Sequence, residues 1–375
     1  MVDILIAGGG VGGLALARGL ARSEHRVRVF EQFPTLRTGG AAVTIFSNGA
    51  AALAGLGAPL GGLGGRLDTL RFDTADGRTI VTADLTILAR RTGFPVTSVP
   101  RDRLIEHLAR GVPVEFSREI VDVEVRPDGV TAIDATGDRH EADVVVGADG
   151  QRSAVRRALL DPAPAIENAW TTWQGLSPVL PELAVNATGV CVVGQAGLVG
   201  LLPSGDGLLM WWFDVHRPLE GSPAAALAER FAGYGPLVEQ LLAKLRDEDL
   251  ESFRHVTHRV PNQWGHGGTT LLGDAAHAFP PTQAQGANQA LEDAWLLSRA
   301  LRVNPVDAPG ALRRYEALRA RRVRKVSRRA ASERTNKPLP PPVRALTRMI
   351  PPSLIGRAYI AQLRGVSSVL NNETV

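Results

Sequence analysis

Short apolar runs separated by glycine turns dominate the first third of the chain. Residues 2–7, Val-Asp-Ile-Leu-Ile-Ala, are apolar and β-branched and run into glycines, the pattern of a strand buried on both faces. Gly8-Gly9-Gly10-Val11-Gly12-Gly13 follows, then a helix-forming stretch through Leu14, Leu16 and Leu20, then a second strand from Arg26 to Phe30 that stops directly before Glu31. Alternation at Leu70 to Phe72 and at Thr79 to Thr82, around Asp76-Gly77, predicts a hairpin. Val121 to Arg126 and Val130 to Ala135 flank the turn Pro127-Asp128-Gly129, and Asp143-Val144-Val145-Val146 predicts another buried strand ahead of Gly147.

From about residue 166 to 264 the texture changes to short strand-like runs: Gly189 to Val193, Leu198 to Leu202, Leu208 to Val215. Five of the six tryptophans lie here, which marks this stretch as a separate, mainly antiparallel sheet unit. Side chains of adjacent strand residues point to opposite faces, so one of Trp211 and Trp212 is placed to line a cavity while the other packs in the core, although core packing alone is the more usual role of a tryptophan. Thr269-Thr270-Leu271-Leu272 then returns to the first texture. Helical spacing follows at Ala287 to Leu301 and from about Ala311 to Ser332. Pro338 to Pro342 is a breaker, and the apolar patches Leu346 to Ile350 and Leu354 to Leu363 read as helices packed on the body, not as a membrane-surface anchor.

At 375 residues the chain holds about two and a half domains of ordinary size. Cys191 is the single cysteine, which excludes an internal disulfide or a thiolate cluster and fits a reducing cytoplasm. The amino terminus lacks a basic n-region, and no apolar run is long enough to span a bilayer. Between Arg313 and Lys337 nine arginines and two lysines face only Glu316 and Glu333, so this one segment carries more positive charge than the whole chain's +4. With Tyr315 its only aromatic, the segment does not read as a nucleic-acid surface. A solvated helix face, or attraction of a phosphorylated cofactor, accounts for it.

The glycine turn carries the first chemistry. Gly8 allows the tight turn, Gly10 lets backbone approach a pyrophosphate, and Gly13 lets helix and strand pack closely. The helix amino terminus presents N–H groups to phosphates, and Glu31, placed 18 residues after Gly13, can accept hydrogen bonds from an adenosine ribose. Strand, turn, helix and acid together predict a dinucleotide site. Gly194-Gln195-Ala196-Gly197 lacks the spacing for a second one.

Three separated segments make the chain resemble the class A FAD-dependent aromatic hydroxylases, the group of p-hydroxybenzoate hydroxylase and salicylate hydroxylase. They are Gly8 to Gly13 with Glu31; Asp143 to Arg156, containing Gly147-Ala148-Asp149-Gly150, Ser153 and Val155-Arg156; and Gly273-Asp274-Ala275-Ala276-His277 with Pro280-Pro281, Gln285-Gly286-Ala287-Asn288 and Glu292-Asp293-Ala294. Many relatives have Gly-Gly-Gln-Gly where this chain has Gln283-Ala284-Gln285-Gly286.

The resemblance implies an α/β fold: a Rossmann-like FAD-binding domain from residues 1–70, 98–165 and 265–335, an inserted, mainly antiparallel substrate domain from 71–97 and 166–264, and a C-terminal helical tail over 336–375. It implies FAD on Gly8, Gly10, Gly13, Glu31, Arg37, Arg101, Asp149, Asp274, Gly286, Ala287 and Asn288, with Pro281, Gln283 and Gly286 beside the flavin. A helix amino terminus at 286–288 would stabilise negative charge on reduced flavin. Trp211, Trp212 and Phe213 are the candidates for the substrate pocket, and His277 has a structural role.

The implied reaction uses NADPH or NADH as reductant and O₂ as co-substrate. A C4a-hydroperoxyflavin places one oxygen atom on an aromatic or polycyclic small molecule. No catalytic base is legible; His216, His255 and His258 in the sheet unit read as ordinary surface or core positions. A flavoprotein oxidase or halogenase on the same fold is one alternative. Trp211-Trp212-Phe213 does not match the halogenase Trp-x-Trp-x-Ile-Pro, and Lys244, Lys325 and Lys337 lie away from the flavin motifs. A non-catalytic, ligand-sequestering flavoprotein is the other.

Overall fold

The computed structural model describes residues 1–37, 39–160, 165–303, 306–332, 342–343, 348–364, 367 and 369–371. At its centre is a parallel sheet of five strands in the order Thr269–Leu271, Val144–Gly147, Asp3–Ala7, Arg26–Glu31, Val114–Phe116. Ile4, Leu5, Ile6 and Val144 to Val146 are fully buried, as apolar runs covered on both faces must be. The helices Val11–Leu20 and Gly286–Val303 pack together on this body. The antiparallel meander Ile120–Arg126, Gly129–Asp134, Arg139–Ala142 turns at Pro127-Asp128.

A second, seven-stranded sheet has the order Glu251–Thr257, Ile166–Pro178, Leu208–Val215, Gly197–Gly205, Thr188–Val193, Thr69–Thr74, Thr79–Asp84. Every pairing in it is antiparallel except Thr188–Val193 on Thr69–Thr74. Strand Thr69–Thr74 lies wholly in this sheet, while Val96–Pro100 pairs with Gly65–Leu67 on one side and Ala42–Ile45 on the other in a small sheet of their own. The chain therefore crosses between the two bodies just before Thr69 and returns by Val96.

Alternation gives the large sheet two faces. Leu209, Trp211, Phe213 and Val215 join Val190, Val192, Val199 and Leu201 in one core, covered by helices Pro223–Arg230 and Pro236–Leu242. The strand pattern expected through 166–264 did not include these helices. Each starts at a proline, and Ser222 caps the first by accepting the Ala225 N–H. The opposite face carries Leu70, Cys191, Leu198, Leu202, Met210 and Trp212. Helix Pro352–Arg364 sits on strand Thr79–Asp84 so closely that a Cβ on Gly356 would come within 2.0 Å of the Thr82 carbonyl oxygen. The expected helix at 346–350 falls partly outside the described residues. No described helix is long and apolar enough to cross a membrane.

Helix Ala308–Ser332 is not simply a solvated basic face. Leu312, Tyr315, Arg319, Val323 and Val326 form one stripe along it, all fully buried. Within the stripe Arg319 donates from Nε to Asp293 at 2.6 Å, from one terminal nitrogen to Glu292 at 3.0 Å, and from the other to the Gln289 backbone and side chain. Burial pushes the Asp293 carboxyl up, yet Arg319 and His277 pull it further down, to about 2. Asp293 also accepts the Gly273 N–H at 2.8 Å and meets His277 Nε2 at 2.6 Å.

Candidate active site

One cavity of about 580 Å³ runs from the glycine turn to the open face of the large sheet. Its near end is lined by Gly10, Val11, Gly12 and Ala148, its middle by Arg37, Arg101, Asp274 and Gly286, its far end by the sheet.

The glycines occupy the positions that their chemistry requires. Gly8 has φ +111°, and a Cβ there would meet the Ala148 carbonyl oxygen at 2.4 Å. A Cβ on Gly13 would lie 2.0 Å from the Gly8 carbonyl oxygen, so only glycine lets helix and turn pack this closely. A Cβ on Gly10 would touch nothing within 4 Å; it would point into the cavity at the start of helix Val11–Leu20, where N–H groups have no helical acceptor. The Glu31 carboxylate accepts the Gly9 N–H at 2.7 Å and the Phe33 N–H at 3.1 Å, so it also braces the turn, with lone pairs to spare for a ribose.

Asp149 lies behind that turn and does not line the cavity. Its Oδ2 accepts the N–H groups of Ala154 and Val155, which fastens helix Ala154–Leu159, while burial pushes its carboxyl up and Oδ1 has no protein partner. Arg156 donates to the carbonyls of Ala275, Ala276 and Arg259, tying the second motif to the third. Arg101 reaches the cavity with its guanidinium pushed down by burial and by the charge of Arg37, and held up by Asp274 and Glu251. Arg37 is exposed and lies over the Phe33 ring.

In the third motif Pro281, Gln283, Gly286 and Ala287 line the cavity, whereas Asn288 does not. The Asn288 amide accepts the Phe46 N–H and donates to the carbonyls of Thr44 and Ala284, which locks the loop onto helix Gly286–Val303. Ala284 is held at φ +49°. A left-handed residue with a Cβ costs about 1–2 kcal/mol, so Ala284→Gly is expected to raise thermal stability by roughly that amount less the glycine entropy cost. Denaturant melts of the two proteins check this; an unchanged or lower midpoint would mean the loop carries no such strain.

Of the three aromatic candidates only Trp212 lines the cavity. Trp211 and Phe213 are fully buried on the other face, because neighbouring strand residues alternate. The Trp212 indole lies across the sheet in the space above Gly200, where an added Cβ would meet its ring at 2.1 Å. Beside it are Asp214, Thr172 and Gln174, which sequence reasoning passed over, and His255, which it read as an ordinary surface or core position. The one available signal was that Asp214 is the only charged residue in the run Leu208 to Val215.

Residues 1–330 match the family model described as FAD binding domain. The chain is 32% identical over 338 residues to an aurachin C monooxygenase/isomerase of Stigmatella aurantiaca, covering 86% of each. It is 31% identical over 341 residues to an FAD-dependent urate hydroxylase of Klebsiella oxytoca, covering 85% of this chain and 86% of the relative. It belongs to the class A FAD-dependent aromatic monooxygenases. The crystal structure of Klebsiella pneumoniae HpxO complexed with FAD and uric acid superposes with a TM-score of 0.81 at 29% identity, covering 88% of this chain and 86% of that one. A salicylate hydroxylase substrate complex gives 0.73 at 25% identity, covering 88% and 87%. The cavity of this monooxygenase fits its cofactor on its own terms: an open space at Gly10, a helix amino terminus facing it, and a basic Arg101 with Asp274 further along.

Proposed function

We propose that this chain is an NADPH- or NADH-dependent hydroxylase of a flat, largely apolar aromatic or polycyclic molecule. The observation that carries the reading is the single cavity joining the flavin motifs to the Trp212 face of the large sheet. Bound FAD would supply the redox chemistry between the nicotinamide and O₂. Gly10 and the helix after it would hold the pyrophosphate, Glu31 the ribose, and Asp274 and Arg101 the middle of the cofactor. The first turn of helix Gly286–Val303 would face the flavin ring with its N–H groups. Phe46, Leu198, Leu202, Met210 and Trp212 form apolar walls that position a ring and keep water from it.

The division into FAD-binding segments and a substrate unit is supported by the separate memberships of the two sheets. A reducing, cytoplasmic setting agrees with the free, buried Cys191. The visible spectrum of the purified protein, then NADPH and NADH oxidation with phenols, quinolones and polycyclic aromatics, tests the reading, with peroxide assayed in parallel. A yellow protein whose nicotinamide oxidation rises with one compound, giving an oxygenated product and little peroxide, is the expected result. Peroxide alone with every compound would favour an oxidase, and failure to take up FAD would overturn the proposal.

A further inference from the structure

The far end of the cavity is not uniformly apolar. Asp214 and Thr172 face each other on paired strands, and Thr172 Oγ1 donates to Asp214 Oδ1 at 2.6 Å. On the edge strand Glu251–Thr257, His255 Nε2 lies 2.7 Å from the same hydroxyl, with the Trp170 ring 4.4 Å from the imidazole. All three polar residues line the cavity, and Asp214 and Thr172 are buried. The hydroxyl has one hydrogen, and it goes to Asp214. When that carboxylate is ionised, His255 must therefore donate from Nε2 to Thr172. Thr172 pins Oδ1 and the Trp212 indole also donates to the carboxylate, whose remaining lone pairs, those of Oδ2 among them, can take a further proton.

We propose that Asp214 is the base of this cavity, oriented by Thr172 and His255, and that the substrate is a flat, apolar ring bearing an acidic O–H or N–H and no carboxylate. This rests on the hydroxylase reading above. In the step assigned to it, the O–H or N–H bond of the ring breaks, its electron pair stays on the ring as an oxyanion or aza-anion, and the proton goes to Asp214 Oδ2. The ring carbons become more nucleophilic as a result. A substrate carboxylate would instead be set against Asp214.

The electrostatics agree with the geometry. Burial pushes the Asp214 carboxyl up to about 7, against the pull of Thr172 and the Trp212 indole, which suits a base working near neutral pH. Burial pushes His255 down to about 4, which keeps it neutral and a single donor toward Thr172. Among the described residues the other titratable groups lining this part of the cavity are Cys191, which feels the Asp214 charge and whose thiol burial holds neutral, Tyr359, and Arg254 beside His255. Arg37, Arg101 and Asp274 lie at the cofactor side of the cavity.

Umbelliferone, a fused-ring phenol whose neutral and anionic forms have distinct fluorescence excitation bands, is the probe. It is added to the FAD-loaded enzyme at a pH where the free probe is neutral. The wild type is expected to bind it as the anion, with the anionic band growing as pH rises through about 7. Asp214→Asn should lose that band at least tenfold; Thr172→Val should weaken it and Thr172→Ser should keep it. The serine and valine pair holds the test open if the asparagine variant does not fold. Absence of binding, binding of the neutral phenol by the wild type, or an anionic band retained in both Asp214→Asn and Thr172→Val would overturn the proposal. Flavin reduction by NADPH, followed in the same samples, reports on the hydroxylase reading independently of the probe's ionisation.

Discussion

Replacing Arg319 with methionine is expected to cost about 3–5 kcal/mol, lowering the thermal midpoint by on the order of ten degrees. The guanidinium is fully buried between Glu292 and Asp293, so its removal takes the cation away from two buried carboxylates and leaves them to His277, the Gly273 N–H and the Asn48 amide. The methionine stem fills part of the volume but supplies no charge. Arg319→Lys keeps the charge without the planar fork and should fall between the two. The effect reaches the cofactor site, because Asp293 also accepts the Gly273 N–H next to Asp274, and flavin retention should fall with stability.

The same network sets an acid limit. A carboxyl depressed when folded contributes stability that is complete above its ordinary value and lost as pH falls through the folded one. For Asp293 that window runs from 3.8 down to about 2. The methionine variant should lose this part of the acid dependence. Melts of apo and FAD-loaded protein across pH check both points, and an Arg319→Met midpoint equal to wild type would show that the ion cluster is energetically neutral.

The second large effect separates binding from folding within a single turn. Gly13→Ala places a methyl 2.0 Å from the backbone oxygen of Gly8, where no flexible side chain can move aside. It is expected to destabilise apo protein by about 1–3 kcal/mol and to abolish FAD uptake. Gly10→Ala meets nothing within 4 Å and sits at an ordinary φ of −80°, so the apo melt should stay within about 0.5 kcal/mol of wild type. FAD affinity should still drop tenfold or more, because the methyl would stand at the proposed approach of the pyrophosphate to the helix end. The flavin-to-protein absorbance ratio and apo-protein melts distinguish the two variants. Full FAD content in Gly10→Ala would place the pyrophosphate elsewhere.

Much of the cofactor side was legible from residues because it is built by neighbours in sequence. Turn, helix and acid from Gly8 to Glu31 are close in sequence, and glycine is required at Gly8 by its φ of +111° and at Gly13 by the approach to the Gly8 carbonyl oxygen. Some strands were readable for the same reason, a run such as Leu208 to Val215 alternating whatever it packs against, whereas Ile166–Pro178 and Glu251–Thr257 were not among the runs singled out. Alternation also said that Trp211 and Trp212 part company, but not which one meets the cavity; that depends on which face the helices Pro223–Arg230 and Pro236–Leu242 cover. Tertiary structure alone decided the polar pole of the cavity, because Thr172, Asp214 and His255 come from three strands whose pairing brings together residues 42 and 83 positions apart. It likewise turned Arg319 from one basic residue among many into the centre of a buried cluster, since the carboxylates that neutralise it lie 26 and 27 residues away on another helix. Local backbone geometry is written in local sequence, whereas the charge state of a buried group is set by partners that only the packed fold supplies.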